Sequence, residues 1–314
     1  MKNSVTDFSR ISDVELSVVI VTHGAREMTL DCLESVAIET RRLASEVLVV
    51  DNASENGLAR EIAARFPHFH VVAQFANLGF AAAANLAADF ARGRFLLFLN
   101  PDTIVADGAL DRLLEFARAR PGAGIWGGRT LYGDGAVNPT SCRRAPSLWS
   151  LLCSAFALDT RYPQSRLFAA MGYGGWQRDR ERSVDVVCGC FLLVDRAVWH
   201  RLAGFSPAFF MYGEDDDLCM RARQAGFHPA FTPAATIIHY GSGTELNQDR
   251  KIGQILASRA LLIRSHFPMP ARPLAALLLM LRPWLGSRFG RPSLRPLWRS
   301  IWARRSQWIA GRFA

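Results

Sequence analysis

Five apolar residues, Phe95 to Leu99, run without a break and stop at Asn100-Pro101-Asp102. An apolar run with no polar alternation predicts a strand buried on both faces, as in a parallel sheet. Pro101 has no N–H to offer and ends the ladder, which puts Asp102 just past the strand's carboxyl end. Similar runs precede it. Residues 16–21 end at Thr22-His23-Gly24, and residues 46–50 end at Asp51-Asn52-Ala53-Ser54. A third strand is expected over 69–73, followed by Asn77-Leu-Gly-Phe80. Between the strands, apolar positions such as Met28, Cys32, Leu33 and Val36 recur at helical spacing. They predict helices over 26–40, near 57–66, about 81–91 and over 107–120, the last stopped by Pro121-Gly122.

Strand and helix alternating in this way predict a mostly parallel, doubly wound, Rossmann-like sheet with helices on both faces. Three strands end in polar residues at one edge: Thr22/His23, Asp51/Asn52 and Asn100/Asp102. An acid after a strand is most often a turn former or a helix cap. The same pattern at several strand ends is what a ligand crevice at the carboxyl edge needs.

The second half is less regular. A Gly-Asp-Gly pattern predicts a hairpin within 127–137. Periodicity then fails from 138 to 183, where prolines, arginines and Gly172-Tyr-Gly-Gly-Trp176 suggest a long connection of the kind that covers a substrate. Order resumes over 184–194, with a short helix from 196. A further helix begins at Glu214-Asp-Asp-Asp217. The helix dipole favours acids in a first turn, yet four in succession exceed what a cap requires. Phe231 and 236–239 are expected in short strands, and 247–266 in a helix that closes the main domain.

With 314 residues, the chain can form one large α/β domain, 15–267, behind a polar segment, 1–14. That segment has no apolar stretch, so no secretory signal is expected. Six cysteines (Cys32, Cys142, Cys153, Cys188, Cys190 and Cys219) form no CxxC pair, which favours buried free thiols in a reducing compartment. Charge is uneven. Of 37 basic residues, nine arginines lie beyond 267 with no acid among them, leaving 28 basic against 28 acidic residues before that point. A neutral main domain argues against a nucleic-acid partner.

The tail, 268–314, is basic and amphipathic. Its longest apolar run, nine residues over 273–281, is far short of the roughly 20 that a spanning helix needs. Arginines alternate with leucines and four of the eight tryptophans, a composition suited to an anionic membrane surface. The alternatives are a basic helix packed on the domain and a disordered end.

Chemistry follows from the acids. Mg²⁺ or Mn²⁺ takes one or two protein carboxylates and completes its shell with water and phosphate. Asp102, with a second carboxylate or with His239, would suit a metal–diphosphate. Glu214 or Asp215 could then take a proton from an attacking hydroxyl.

These blocks, Val18-Val-Ile-Val-Thr22, Asp51-Asn-Ala-Ser54, Asn77-Leu-Gly-Phe80 with Asn85, and Phe98-Leu-Asn-Pro-Asp102, resemble family 2 glycosyltransferases. So do Gly189-Cys-Phe-Leu-Leu-Val194, Gly213-Glu-Asp-Asp-Asp-Leu218 with Arg221, and His239-Tyr-Gly-Ser-Gly243. The resemblance spans about 15–245 and is nearest to the bacterial rhamnosyltransferase-like branch. It implies a GT-A fold and inverting transfer from a nucleotide sugar, with dTDP-rhamnose favoured and UDP- or GDP-sugars open. It implies that Asp51 contacts the base or ribose, and that Thr22, Asn77, Gly79, Asn85 and Asn100 line the donor pocket. Asp102 and His239 would be metal ligands, and Glu214-Asp215 would hold the base. Asn100 stands where a DxD motif has its first acid, as is usual in this branch. The implied acceptor is a glycan, lipid-linked, and the implied location is cytoplasmic, peripheral on the inner face of the membrane.

Other classes fit less well. A Rossmann dehydrogenase would show GxGxxG after the first strand, where this chain has Thr22-His-Gly-Ala-Arg-Glu-Met28. A sugar-nucleotide-processing nucleotidyltransferase would need a Gly-rich basic loop there. A non-catalytic peripheral membrane scaffold would have no use for Asp102 and the four acids together.

Overall fold

Two apolar layers, one on each face of a single large sheet, organise the chain. The computed structural model describes residues 14–55, 57–241 and 248–311. The expected polar segment 1–14, apart from Val14, lies outside the described residues, as do Ser242, Gly243 and Arg312.

The strands are β1 (Leu16–Thr22), β2 (Ser45–Asp51), β3 (His70–Ala73), β4 (Phe95–Leu99), β5 (Thr103–Val105), β6 (Ile125–Leu131), β7 (Cys142–Arg143), β8 (Arg182–Ser183), β9 (Val186–Val187), β10 (Phe191–Asp195) and β11 (Ala230–His239). Eight follow the order β3-β2-β1-β4-β10-β6-β11-β5, with β8 added beside β11, and β7 pairs with β9 in a small second sheet. β1 is parallel to β2 and β4, and β2 to β3. β10 runs antiparallel to both β4 and β6, and β5 antiparallel to β11. Most strands of the sheet therefore run parallel, with three reversed strands, β5, β8 and β10, that the sequence pattern did not reveal.

The unbroken apolar runs now have a cause. Alternate residues of β4 face opposite layers: Phe95, Leu97 and Leu99 join one, Leu96 and Phe98 the other. The helices are α1 (Arg26–Glu39), α2 (Leu58–Arg65), α3 (Phe80–Phe90), α4 (Ala109–Ala119), α5 (Leu148–Ala155), α6 (Leu158–Arg161), α7 (Arg196–Arg201), α8 (Glu214–Gln224), α9 (Gln248–His266), α10 (Arg272–Phe289), α11 (Arg295–Ala303) and α12 (Arg305–Ile309). α1, α2 and α4 fill the first layer through residues such as Leu33, Ile62 and Leu113. α3, α7 and α8 fill the second, with Ala84, Trp199 and Leu218. Alanines on α3 let that helix lie close against β1 and β2.

Two expectations change. Phe231 and 236–239 belong to one ten-residue strand, β11, whose register against β6 shifts between Thr232 and Thr236. Pro233 falls inside that shift, where a residue without an N–H costs no ladder bond. Segment 138–183 is also more than a connection. It contains β7, α5 and α6, and winds around Arg178, which is 1% exposed. The turn expected within 127–137 is present, with Tyr132 N–H donating to Ala136 O at 2.8 Å.

A third apolar cluster joins α5 and α9 to α10–α12 through Leu151, Leu256, Ile263, Leu278, Ile301 and Trp308. Trp308 is fully buried, and its indole N–H donates to Ile301 O at 2.9 Å. Arg282 donates to Ser154 O at 2.8 Å, tying α10 to the end of α5. These contacts make the described part of 268–314 a folded helical unit against the main body. Among the described residues, no helix is long and apolar enough to cross a membrane.

Candidate active site

The parallel strands deliver their polar ends to one edge. Thr22 lies opposite Asp51 in the β1–β2 register, and His239 lies opposite Thr103 just after β4. Because β10 is antiparallel, its amino end reaches the same edge as the carboxyl end of β4, Phe191 pairing with Leu99. Residues 188–190, leading into β10, thus sit between the two acidic groups.

On one side are Asn100, Asp102 and His239. Asp102 is buried, with Oδ1 3.2 Å from His239 Nε2, while Oδ2 accepts the Gly241 N–H at 3.1 Å. The Asn100 amide nitrogen lies 3.4 Å from the same His239 nitrogen. Burial alone would lower the His239 pKa, but the hydrogen bond and charge of Asp102 outweigh it and raise it. The 3.2 Å spacing suits two neighbouring ligands on an octahedral cation with bonds of about 2.1 Å. Among the described residues, no group of three or more His, Cys, Asp or Glu side chains is arranged to hold a metal. Among the described residues, Asp102 and His239 offer one carboxylate and one imidazole here, a donor set that fits Mg²⁺ or Mn²⁺ completed by phosphate and water.

On the other side the four acids of α8 are all buried, and each has a different environment. Burial pushes the Glu214 carboxyl well above its usual range, and Asp215 adds to the shift. Its Oε2 has no hydrogen-bond partner among the described residues. Asp215 accepts from Arg143 Nη2 at 2.8 Å, from its neighbour's Asp216 N–H at 2.8 Å and from Gly189 N–H at 2.9 Å. Asp216 takes the same guanidinium through two bonds, at 2.9 and 2.8 Å. Burial raises the Asp216 pKa against the pull of Arg143. For Asp217, burial is outweighed by His266 Nε2 at 2.7 Å and Arg221 Nε at 2.8 Å, so its pKa falls below the ordinary 3.8. Asp217 therefore fastens α8 to α9, whereas Asp215 faces Gly189.

The segment between them links the two sides. Asn100 N–H donates to Cys190 O at 3.3 Å, and Gly189 N–H donates to Asp215. The Cys188 thiol lies here too. Its pKa is lowered to about 7, chiefly by its hydrogen bond with Cys190, with Arg143 contributing.

The remaining sequence-selected residues form the β1–β3 end of the edge. Asp51 is buried and accepts Ser54 N–H at 2.8 Å and Ala59 N–H at 3.1 Å, which shapes the turn into α2. Thr22 shares a 2.7 Å hydroxyl contact with Thr29 on α1. Asn52 and Asn77 clamp their two loops together: the Asn52 amide donates to Asn77 Oδ1, and Leu78 N–H donates to Asn52 Oδ1, both at 2.9 Å. Gly79 has φ +81°, and a Cβ there would lie 2.4 Å from Phe210 O, so only glycine lets this loop meet the 205–213 segment. The Asn85 amide is spent on both backbone groups of Phe205, at 2.8 and 3.0 Å. It positions that segment.

Sequence reasoning missed Arg143. It lies in the aperiodic stretch, with nothing in its spacing to distinguish it from its neighbour Arg144. Only the pairing of β7 with β9 carries it to the acids.

Residues 17–202 match the sequence model for "Glycosyl transferase family 2", and residues 177–242 match one for "N-terminal domain of galactosyltransferase". The N-acetylglucosaminyl-diphospho-decaprenol L-rhamnosyltransferase of Mycobacterium tuberculosis is 31% identical over 244 residues, 72% of this chain and 76% of that protein. Rhamnosyltransferase WbbL of Escherichia coli is 26% identical, over 71% of this chain and 82% of its own length. Among solved structures, the mannosyltransferase PcManGT of Pyrobaculum calidifontis, in complex with GDP-Man and Mn²⁺, aligns with a TM-score of 0.54 at 19% identity, covering 93% of this chain and 75% of that one. S. aureus TarS 1–349 in complex with UDP-GlcNAc aligns at 0.55 and 15%, covering 94% and 82%.

The acids of α8 can be tested through stability. Arg143→Met leaves Asp215 and Asp216 buried without their counter-ion, and should cost about 3–5 kcal/mol in urea unfolding. Adding Asp216→Asn should restore part of that loss, since one buried charge then disappears; a double variant less stable than the single would refute the pairing. Asp217 has a depressed pKa, so its stabilisation is complete above the unfolded carboxylate value of 3.8 and fades as pH falls through the lower folded value. Asp217→Asn should therefore flatten the acid limb of the stability curve below about pH 5. An unchanged acid limb would contradict the assignment.

Proposed function

The chain belongs to glycosyl transferase family 2 and has a GT-A fold, and from that premise we propose that it is an inverting enzyme that transfers a sugar from a nucleoside diphosphate to a glycan hydroxyl. The observation that carries this reading is the meeting of Asp102 and His239 with Asp215 and Arg143, on either side of residues 188–190 at one sheet edge.

In this reading Asp215 is the base. It faces Gly189 and pairs with Arg143, whereas Glu214 is buried without such a counter-ion and its carboxyl is pushed up by that burial. Asp215 takes the proton of the acceptor hydroxyl, and the oxygen attacks the anomeric carbon opposite the departing diphosphate. One displacement inverts that carbon. Asp102 and His239 would hold Mg²⁺ or Mn²⁺, which would supply positive charge to neutralise the leaving diphosphate. Support for a divalent ion comes from their spacing and from the Mn²⁺ in the PcManGT complex. Asp51, with Thr22, Asn77, Gly79 and Asn100, forms the donor end of the crevice, and Asn85 holds its wall.

The donor we favour is dTDP-rhamnose and the acceptor a lipid-linked glycan in cell-surface polysaccharide synthesis. The support is that two relatives are named rhamnosyltransferases, one of them for a diphospho-decaprenol acceptor. A UDP-sugar is the second reading, favoured by the UDP-GlcNAc held by TarS. We assign catalysis to 15–267 and attachment to the inner face of the membrane to 268–314. Supporting the latter, Leu274, Leu277, Trp284 and Phe289 are exposed on α10 near the exposed Arg288, Arg291 and Arg299.

Release of nucleoside diphosphate from a panel of nucleotide sugars, with Mg²⁺ or Mn²⁺, tests the activity. Asp215→Asn should lower turnover about 10²- to 10⁴-fold with the fold intact. Asp102→Ala should lose most activity, and near-wild-type turnover in it would remove the metal assignment. For attachment, sedimentation with phosphatidylglycerol vesicles should fall in a Leu277→Gln/Phe289→Gln variant, because both side chains are exposed and leave the third cluster untouched. Equal sedimentation of the two proteins would count against the tail as the anchor.

A further inference from the structure

Segment 138–183 lines a partly open cavity of about 330 Å³ that lies apart from the donor end of the crevice. Its lining includes Arg144, Arg166, Arg180 and Arg182 with Tyr173 and Trp176. None of the donor-end residues Thr22, Asp51, Asn77 or Asn100 borders it, nor does Asp102 or Asp215. Arg143 and Arg144 show how near the two sites are and how they are separated. Arg143 reaches the acids of α8, while the next residue lays its guanidinium 5.0 Å from the Tyr173 ring centre. The backbone after β7 divides them.

The charge in this cavity is not balanced. Asp179 is the one carboxylate of the lining, and it accepts the Trp176 indole N–H at 3.0 Å. Glu181 is drawn off by Arg120 at 2.6 Å. Beneath the aromatic floor is a fifth cation, Arg178, 4.8 Å from the Trp176 ring centre. It donates to the carbonyls of Trp176 and Gly172, both at 2.8 Å, and to those of Cys142 and Pro139. These partners are neutral, and its buried Nε has none among the described residues. A buried cation held only by carbonyls leaves a positive field that a nearby anion would relieve.

The guanidiniums are also oriented. Arg182 lies 4.4 Å from the Tyr173 ring centre and 5.1 Å from that of Trp176. Stacking fixes the plane of a guanidinium and leaves its edge N–H groups to donate, the arrangement that takes phosphate oxygens in pairs. The volume is near the lower end for ligand pockets, suiting a compact anionic group with a short extension.

We propose that this cavity binds the phosphate or diphosphate group of a ligand other than the sugar donor. Its position one residue from Arg143 suits the diphosphate of a lipid-linked acceptor, a source that rests on the acceptor reading above. A free phosphate anion shares the same chemistry. The anion site itself stands without either.

Calorimetric titration of the full chain tests it, with no donor and with EDTA present so that no divalent ion draws diphosphate to Asp102. The probes are inorganic diphosphate and farnesyl diphosphate. Both should bind the wild type, and an Arg166→Gln/Arg180→Gln variant, altered at two exposed positions, should weaken binding at least about tenfold, about 1.4 kcal/mol. Asp102→Asn should leave it unchanged. Tighter binding of farnesyl diphosphate assigns a lipid-linked source, and equal or tighter binding of the inorganic ion assigns a free anion. Absence of binding, equal affinity in the arginine variant at an unchanged melting temperature, or loss in Asp102→Asn would overturn the proposal. None of these readouts needs glycosyl transfer, so failure of that activity would leave the result standing.

Discussion

Because β10 runs against β4 and β6, a strand beginning and a strand ending share one edge of the sheet. In an all-parallel sheet, residues 188–190 would lie on the far side of the molecule from Asp102. Here Cys190 accepts a bond from Asn100 while Gly189 donates to Asp215, so a short stretch of backbone sets the distance between the two acidic groups. A displacement transfer needs its proton acceptor and its leaving-group site on opposite sides of one carbon. Backbone hydrogen bonds hold that relation more rigidly than flexible side chains could.

The cost of the arrangement is four carboxyls buried in the first turn of one helix. The fold meets it in different ways along α8. Two acids share Arg143, one is tied to Arg221 and His266, and burial favours the neutral form of Glu214. The helix dipole helps all four, but its few tenths of a kcal/mol to about 1 kcal/mol each is small beside the penalty of an unpaired buried charge. Arg143 is thus as much a requirement of the fold as of the site.

Hydrophobic periodicity made the β1–β4 half legible, since strands buried on both faces read as unbroken apolar runs and their polar ends mark the edge. It also singled out Asp102, His239 and the α8 acids, because each lies at or just beyond the end of a strand or at the start of a helix. Strand direction was not legible: Phe191–Asp195 has the same apolar character whichever way it runs, and only its partners decide. Arg143 and Arg178 were hidden for another reason. Their partners are distant acids and backbone carbonyls, which no local spacing encodes. Asn85 shows the converse, a motif residue whose amide turns out to brace Phe205.

The third apolar cluster has a geometric consequence for how the enzyme would meet its acceptor. α10–α12 pack on α9, and α9 carries His266, which bonds Asp217 of the acidic helix. A surface gripping α10 would therefore grip, through two rigid contacts, the helix that bears the proposed base. Under the proposed attachment, anchoring and orientation would be one event, and the tail would act as a gauge that sets the height and tilt of the crevice above the surface. Such an enzyme would sample a thin layer of reachable hydroxyls instead of every glycan within a tether's length, and the position of a sugar along its chain would become part of what is recognised.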